Sequence, residues 1–204
     1  MNDIFKLNGP LFTLLNRIAN LAILNVLFIL ACLPIFTIGA AITALFSVIY
    51  RSNKDDHLAI AKEFFKAFRE NFKQSSLLWG IHLVMILPYV GVTAYVIRSF
   101  PVFTLPMAII GSVLALYFIV PYALQSQFKN SVKETMKNAL LIVFRFLPYV
   151  MMMFLVGLVL LVILPVFYRQ TFYFVTLFGF SVTAQLQLIF LKKIVTQLEQ
   201  LKEG

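Results

Sequence analysis

Residues 18–50 read IANLAILNVLFILACLPIFTIGAAITALFSVIY, an uncharged run bounded by Arg17 and Arg51. Whether this run is one helix or two decides how many times the chain crosses a membrane. A crossing takes about 20 apolar residues at 1.5 Å rise each. The run is too long for one crossing without marked tilt and rather short for two. LPIFTIG, Leu33 to Gly39, lies in its middle, and Pro34 disfavours continuous helix. One reading is a hairpin of two helices near 12–33 and 38–52, with Arg17 reaching back to the surface. The other is a single long kinked helix.

Charge placement favours the hairpin. No charged residue lies between Lys73 and Arg98, Arg98 and Lys129, Arg145 and Arg169, or Arg169 and Lys192. Each of these segments supplies one apolar helix, near 75–97, 103–127, 146–167 and 171–191. With a hairpin at the start, only Arg98 and Arg169 of the 17 basic residues face outward. With a single helix, Lys6 and Arg17 join them. Basic residues accumulate on the cytoplasmic side of a membrane. The sequence therefore predicts an all-α, polytopic transmembrane bundle of six helices, or five if the first run is one helix, with both termini cytoplasmic. Residues 1–204 read as one integral membrane domain, and 192–204 as a cytoplasmic C-terminal helix. Ile194, Leu198 and Leu201 share a face of that helix, which suits docking on the protein or on a partner.

Composition agrees. Of 204 residues, 61% are hydrophobic and 12% charged, against about 25% charged in a soluble domain. That leaves too little polar surface to cover a water-soluble globule. The net charge of +9 is what inner loops of a membrane protein carry, so nucleic acid is not an expected partner. No small-residue cleavage site follows a short apolar run near the start, so no removable leader is expected. Cys32 is the single cysteine, which excludes a disulfide framework or a cysteine metal site within one chain. The outer connections, RSFPVFT and PVFYRQT, are too short to be a ligand-binding module.

The most patterned stretch is Phe64–Ser76, FFKAFRENFKQSS. As part of an amphipathic cytoplasmic helix near 58–73, Phe64, Phe68 and Phe72 recur every four residues and share a face, with Phe65 beside them. Lys62, Lys66, Arg69 and Lys73 fall largely on the other side, among Glu63 and Glu70. A basic face backed by large apolar side chains suits a membrane surface with anionic headgroups. The blander reading, that the Phe residues pack on neighbouring helices, holds equally well. Lys62, Phe65, Lys66, Arg69 and Lys73 are the candidate contacts for lipid or a partner.

Ionisable groups within membrane helices are functional candidates by default, and this chain has almost none. His82 is the clear case, as a proton relay, a ligand, or more simply a neutral interhelical hydrogen-bonding group. No Asp or Glu lies in the apolar runs, which argues against carboxylate-based ion or proton transport. Asn20, Asn25, Gln125, Gln127, Gln185 and Gln187 could line a polar pathway, although hydrogen bonding between helices is their commoner use. His82, Asn25, Gln185 and Gln187 are the candidates among these. Trp79, Tyr89, Tyr168 and Tyr173 suit interfacial belts. Phosphate loops, HExxH and GxSxG patterns and Cys/His metal spacings are absent from the sequence. Asp55, Asp56 and His57 are adjacent and point apart, so a helix N-cap is a better reading than a metal site. No enzyme activity, catalytic residue, cofactor or metal is expected. A coarse repeat also shows: LFTLLNRIAN, FKAFRENFKQ and VKETMKNALL each precede a hairpin, and LPY occurs at 87–89 and 147–149.

The spaced combination of an NR-x-x-N-L run from Asn16, LPIFTIGAAITALFSVIYR at 33–51, NFKQS at 71–75 and K-N-A-L-L from Lys137 resembles the YesL-type family of bacterial membrane proteins, the domain of unknown function numbered 624. Ala40 and Ala41 follow Gly39 where that family usually has a Pro. The resemblance implies a bacterial cell membrane location and a role linked to sugar uptake, because members are often encoded near carbohydrate ABC transporters. It brings no catalytic residues. Two functional readings result. One is a non-enzymatic accessory or regulatory membrane protein, with carbohydrate ABC transporter subunits as its partners. The other is a small transporter or channel, for which a homo-oligomer is an option.

Overall fold

The computed structural model describes residues 10–55 and 58–203. It contains six helical stretches long and apolar enough to cross a membrane, and no strand among the described residues. The first uncharged run is a hairpin. Helix α1 is Pro10–Cys32 and α2 is Ile38–Ser52, joined through a single 3-10 turn at Ile35–Thr37. Pro34 takes an extended conformation (φ −77°, ψ 120°), as its missing N–H and ring demand. The Thr37 hydroxyl lies 2.6 Å from both the Ala31 and Pro34 carbonyls, so the broken backbone is satisfied by its own side chain.

Helix α2 is the core of the protein. Every residue from Gly39 to Ile49 is buried. Helix α3, Ile60–Ser99, runs 40 residues without a break, about 60 Å at 1.5 Å per residue. The amphipathic stretch and the following membrane helix are thus one rod, beginning at Ile60. Asp55 is not its cap: the N-cap is Ala59, with no side-chain hydrogen bond. Asp56 and His57 lie outside the described residues.

Helix α2 lies antiparallel along the first half of α3. Arg51 meets Glu63 at 2.6 Å, and Ser75 Oγ donates to Thr43 Oγ1 at 2.9 Å. A Cβ on Gly39 would sit 2.7 Å from Trp79 Cβ and would overlap the Ser75 carbonyl. The α1–α2 turn is therefore level with Trp79, about 30 Å short of the far end of α3.

Helix α4, Thr104–Gln125, returns beside the second half of α3. The two ends form an arm: past His82 no α3 residue is buried, and none in α4 before Tyr117. Tyr89 crosses the arm, its hydroxyl donating to Met107 O at 2.6 Å. Helix α5, Val132–Arg145, opens with a capping box in which Ser131 and Glu134 exchange hydrogen bonds. Helix α6, Leu147–Leu158, continues through a π-helical segment at Val159–Ile163 into α7, Leu164–Phe167. Helix α8, Thr171–Phe174, continues through a second π segment at Val175–Gly179 into α9, Phe180–Glu203.

The C-terminal stretch therefore extends the last membrane helix, with Ile194 fully buried and Leu198 packed on the core. The lead-ins of the coarse repeat are all helical, and the first runs on into α1. The second lead-in merges into α3, whereas the third is the separate helix α5. Pro88 of the first LPY lies inside a helix, and Pro148 of the second opens one.

Candidate functional site

Periodicity sorts the faces of α3. Ile60, Phe64 and Ala67 are buried, and Phe68 is packed against the core. The rings of Phe64, Phe68 and Phe72 follow one another at 6.3 and 5.6 Å between centroids. The other face is left to the surroundings. Lys62, Phe65, Lys66, Arg69 and Lys73 are all exposed, and they follow one another at i, i+3, i+4, i+7 and i+11, a single stripe along the rod. Phe65, 59% exposed, is the large apolar side chain within it.

The carboxylates beside the stripe serve other contacts. Glu63 and Glu70 lie 2.6 and 3.5 Å from the Arg51 guanidinium, tying the C-terminal end of α2 to α3. Lys66 reaches Glu63 at 3.7 Å. The candidate contact surface of the sequence reading is thus assembled on one exposed face, with its Phe-rich opposite face used inside the protein.

The polar candidates do not converge. Asn25 is fully buried and joins α1 to the second π segment. Its Nδ2 donates to Thr176 O at 2.8 Å and Val175 O at 3.3 Å. Its Oδ1 accepts from the Phe180 and Ser181 N–H groups at 2.9 and 3.0 Å. A π segment interrupts the regular hydrogen-bond ladder, and one Asn side chain bonds two carbonyls and two amides at that interruption. Gln187 is buried and donates to Met153 O at 2.9 Å, joining α9 to α6. Gln185 pairs instead with Asn53 at the polar end of α2, at 2.9 Å, so it does not sit deep among apolar helices. His82 joins α3 to α4: its Nδ1 lies 2.9 Å from Leu78 O and 3.1 Å from the Tyr122 hydroxyl. The ring packs among Tyr117, Phe118 and Tyr122.

Two belt candidates serve in packing. Trp79 lies against Phe118, with ring centroids 5.9 Å apart, and Tyr89 bonds within the arm. Tyr168 and Tyr173 are exposed on either side of Arg169. Among the described residues, no three His, Cys, Asp or Glu side chains come together in a metal-binding arrangement.

The LPIFTIG and NFKQS elements therefore meet directly, Gly39 close against Ser75. Residues 21–91, which enclose that contact, match a family model described as "Protein of unknown function, DUF624". This stretch is a DUF624 segment. The YesL-type resemblance read from the motifs agrees with it. The DUF624 segment covers the second half of α1, all of α2 and most of α3, so it includes Asn25, the basic stripe and His82. It ends within the arm, before α4. No curated protein and no solved structure matches the chain.

Proposed function

We propose that this chain is a non-enzymatic accessory or regulatory protein of the bacterial cell membrane, with cytoplasmic termini, and that it docks on a membrane complex through the first half of α3. The link to carbohydrate uptake implied by the YesL-type resemblance makes the subunits of a carbohydrate ABC transporter the proposed partners. The observation that carries the reading is the exposed stripe of Lys62, Phe65, Lys66, Arg69 and Lys73 on a helix whose opposite face is locked into the core. A stripe of cations around one exposed aromatic ring suits a docking surface, where aromatic anchors and charge complementarity set affinity and specificity. Anionic lipid headgroups are the second class of contact such a stripe accommodates.

The experiment is affinity purification of the tagged protein from its native membranes in mild detergent, with cross-linking and mass spectrometry. The proposal expects stoichiometric recovery of transporter subunits. It expects their loss when Lys66, Arg69 and Lys73 are changed together to Glu, with the protein still inserted and folded. Recovery of the chain alone, or only as its own oligomer, contradicts it.

A further inference from the structure

The α1–α2 hairpin and a second hairpin, α6–α7 with α8–α9, leave a gap beside α4. Between the α1–α2 turn, the middle of α4 and the two π segments lies a cavity of about 800 Å³, toward the upper end of the roughly 300–1,000 Å³ range of ligand pockets. Cys32, Ile38, Phe46, Phe118, Leu161 and Val175 represent its walls. Leu161 lies in the first π segment, and Val175 and Thr176 in the second. Such segments concentrate at functional sites.

No charged side chain lines this cavity. Two of its polar side chains are already engaged: the Thr176 hydroxyl donates to Phe172 O at 2.9 Å and Gln187 donates to Met153 O at 2.9 Å. The third, Thr183, has a buried hydroxyl with no partner among the described residues, and one such hydroxyl falls short of the two to four polar partners that a buried water needs. A dry apolar cavity takes an apolar molecule instead, and a void of this size left empty would forfeit the packing contacts of every wall. It opens to the surroundings past the exposed Phe172 and Thr176, between helices apolar enough to cross a membrane, where the abundant apolar molecule is a hydrocarbon chain.

We infer that the cavity is a binding site for one acyl chain of a bilayer lipid, held between the two hairpins with its headgroup outside. The absence of lining charge excludes a phosphate or carboxylate from the interior. The chain acts as a removable wedge between α4 and the π segments, so occupancy sets the spacing of the hairpins.

Trp79, the only tryptophan, reports on the site, because its ring lies 5.9 Å from that of Phe118 in the cavity wall. The test titrates the detergent-purified protein with phosphatidylglycerol carrying a 9,10-dibromostearoyl chain and reads Trp79 fluorescence. Native mass spectrometry counts retained lipid in parallel. The inference expects saturable quenching, reversed by the unbrominated lipid, with one lipid retained per chain. Thr176→Phe and Ile38→Phe fill the cavity from opposite walls. Each should weaken binding by about tenfold, the equivalent of denying room to about two methylenes. Val102→Phe, on the exposed tip of the arm, should leave binding unchanged. Quenching that rises without saturation in the unmodified protein overturns the inference, whether or not the filled variants fold. Equal binding by a folded cavity-filled variant also overturns it.

Discussion

Asn25 holds the second π segment together, and its removal gives a quantitative test of the fold. Asn25→Leu keeps roughly the same volume and deletes four hydrogen bonds, to Val175 O, Thr176 O, Phe180 N and Ser181 N. Side-chain hydrogen bonds between membrane helices contribute about 0.6 kcal/mol each on average and up to about 1.7. Four of them amount to roughly 2–5 kcal/mol when one or two lie near the upper figure. For a chain of this size, each kcal/mol moves the melting temperature by about 2–4 °C. Asn25→Leu should therefore melt roughly 4–20 °C below the parent in the same detergent. Asn25→Asp tests the donors alone. It keeps an acceptor for the two N–H groups but sets its second oxygen against two carbonyls, and it should also lose stability. The assay is thermal unfolding followed by the monodisperse fraction on size exclusion. An Asn25→Leu protein melting within about 2 °C of the parent would refute the reasoning, because it would mean that the π segment satisfies its own backbone.

Other contacts make further predictions. Gly39→Ala places a Cβ against Trp79 Cβ and the Ser75 carbonyl and should cost about 1–3 kcal/mol by overpacking. Gly80→Ala meets nothing within 4 Å and should be neutral or stabilising by up to about 1 kcal/mol; chemical or thermal unfolding of the pair separates packing from helix propensity. Glu63→Gln removes the closer partner of Arg51 and should lower stability by about 1 kcal/mol at low salt, with the difference shrinking at high salt. Glu134 lies outside the membrane helices, and hydrogen bonds from the Ser131 backbone and hydroxyl hold its carboxyl below the ordinary value of 4.5. Because that value is lowered in the folded state, the cap is at full strength above about pH 4.5 and weakens as pH falls through the folded-state value. Amide exchange in the first turn of α5 should accelerate, relative to the chemical rate, over that acidic window. Glu134→Gln, which cannot titrate, should remove the pH dependence, whereas Ser131→Ala keeps the backbone N–H that Glu134 accepts from and should only reduce it.

Much of this architecture is legible in the residues. The break at Leu33–Pro34 and the charge-free runs mark the six helices, because proline geometry and the cost of burying charge act locally. The spacing of Phe64, Phe68 and Phe72 gives the buried side of α3 for the same reason. What resists reading depends on partners distant in sequence. Asn25 stands out as a polar residue in an apolar helix, but its partners lie about 150 positions away. The π segments sit inside uniform apolar runs, VLLVI and VTLFG, where nothing in composition distinguishes them from α-helix. Nor does any local signal show that α2 starts level with Trp79, since a helix of 15 residues could have packed at any depth. Gln185 and Gln187 look equivalent on the page. Two positions turn a helix by about 200°, which sends one to Asn53 and the other to Met153.

The account stands or falls on whether the stripe on α3 is a docking surface. The direct measurement is photo-crosslinking in living cells from a benzophenone amino acid placed at Phe65, with Val102 on the far tip of the arm as the comparison site. The account predicts a discrete cross-linked transporter subunit from Phe65, lost when Lys66, Arg69 and Lys73 are changed to Glu, and no such product from Val102. Cross-links from Phe65 to lipid alone, or to a second copy of the same chain, would contradict it.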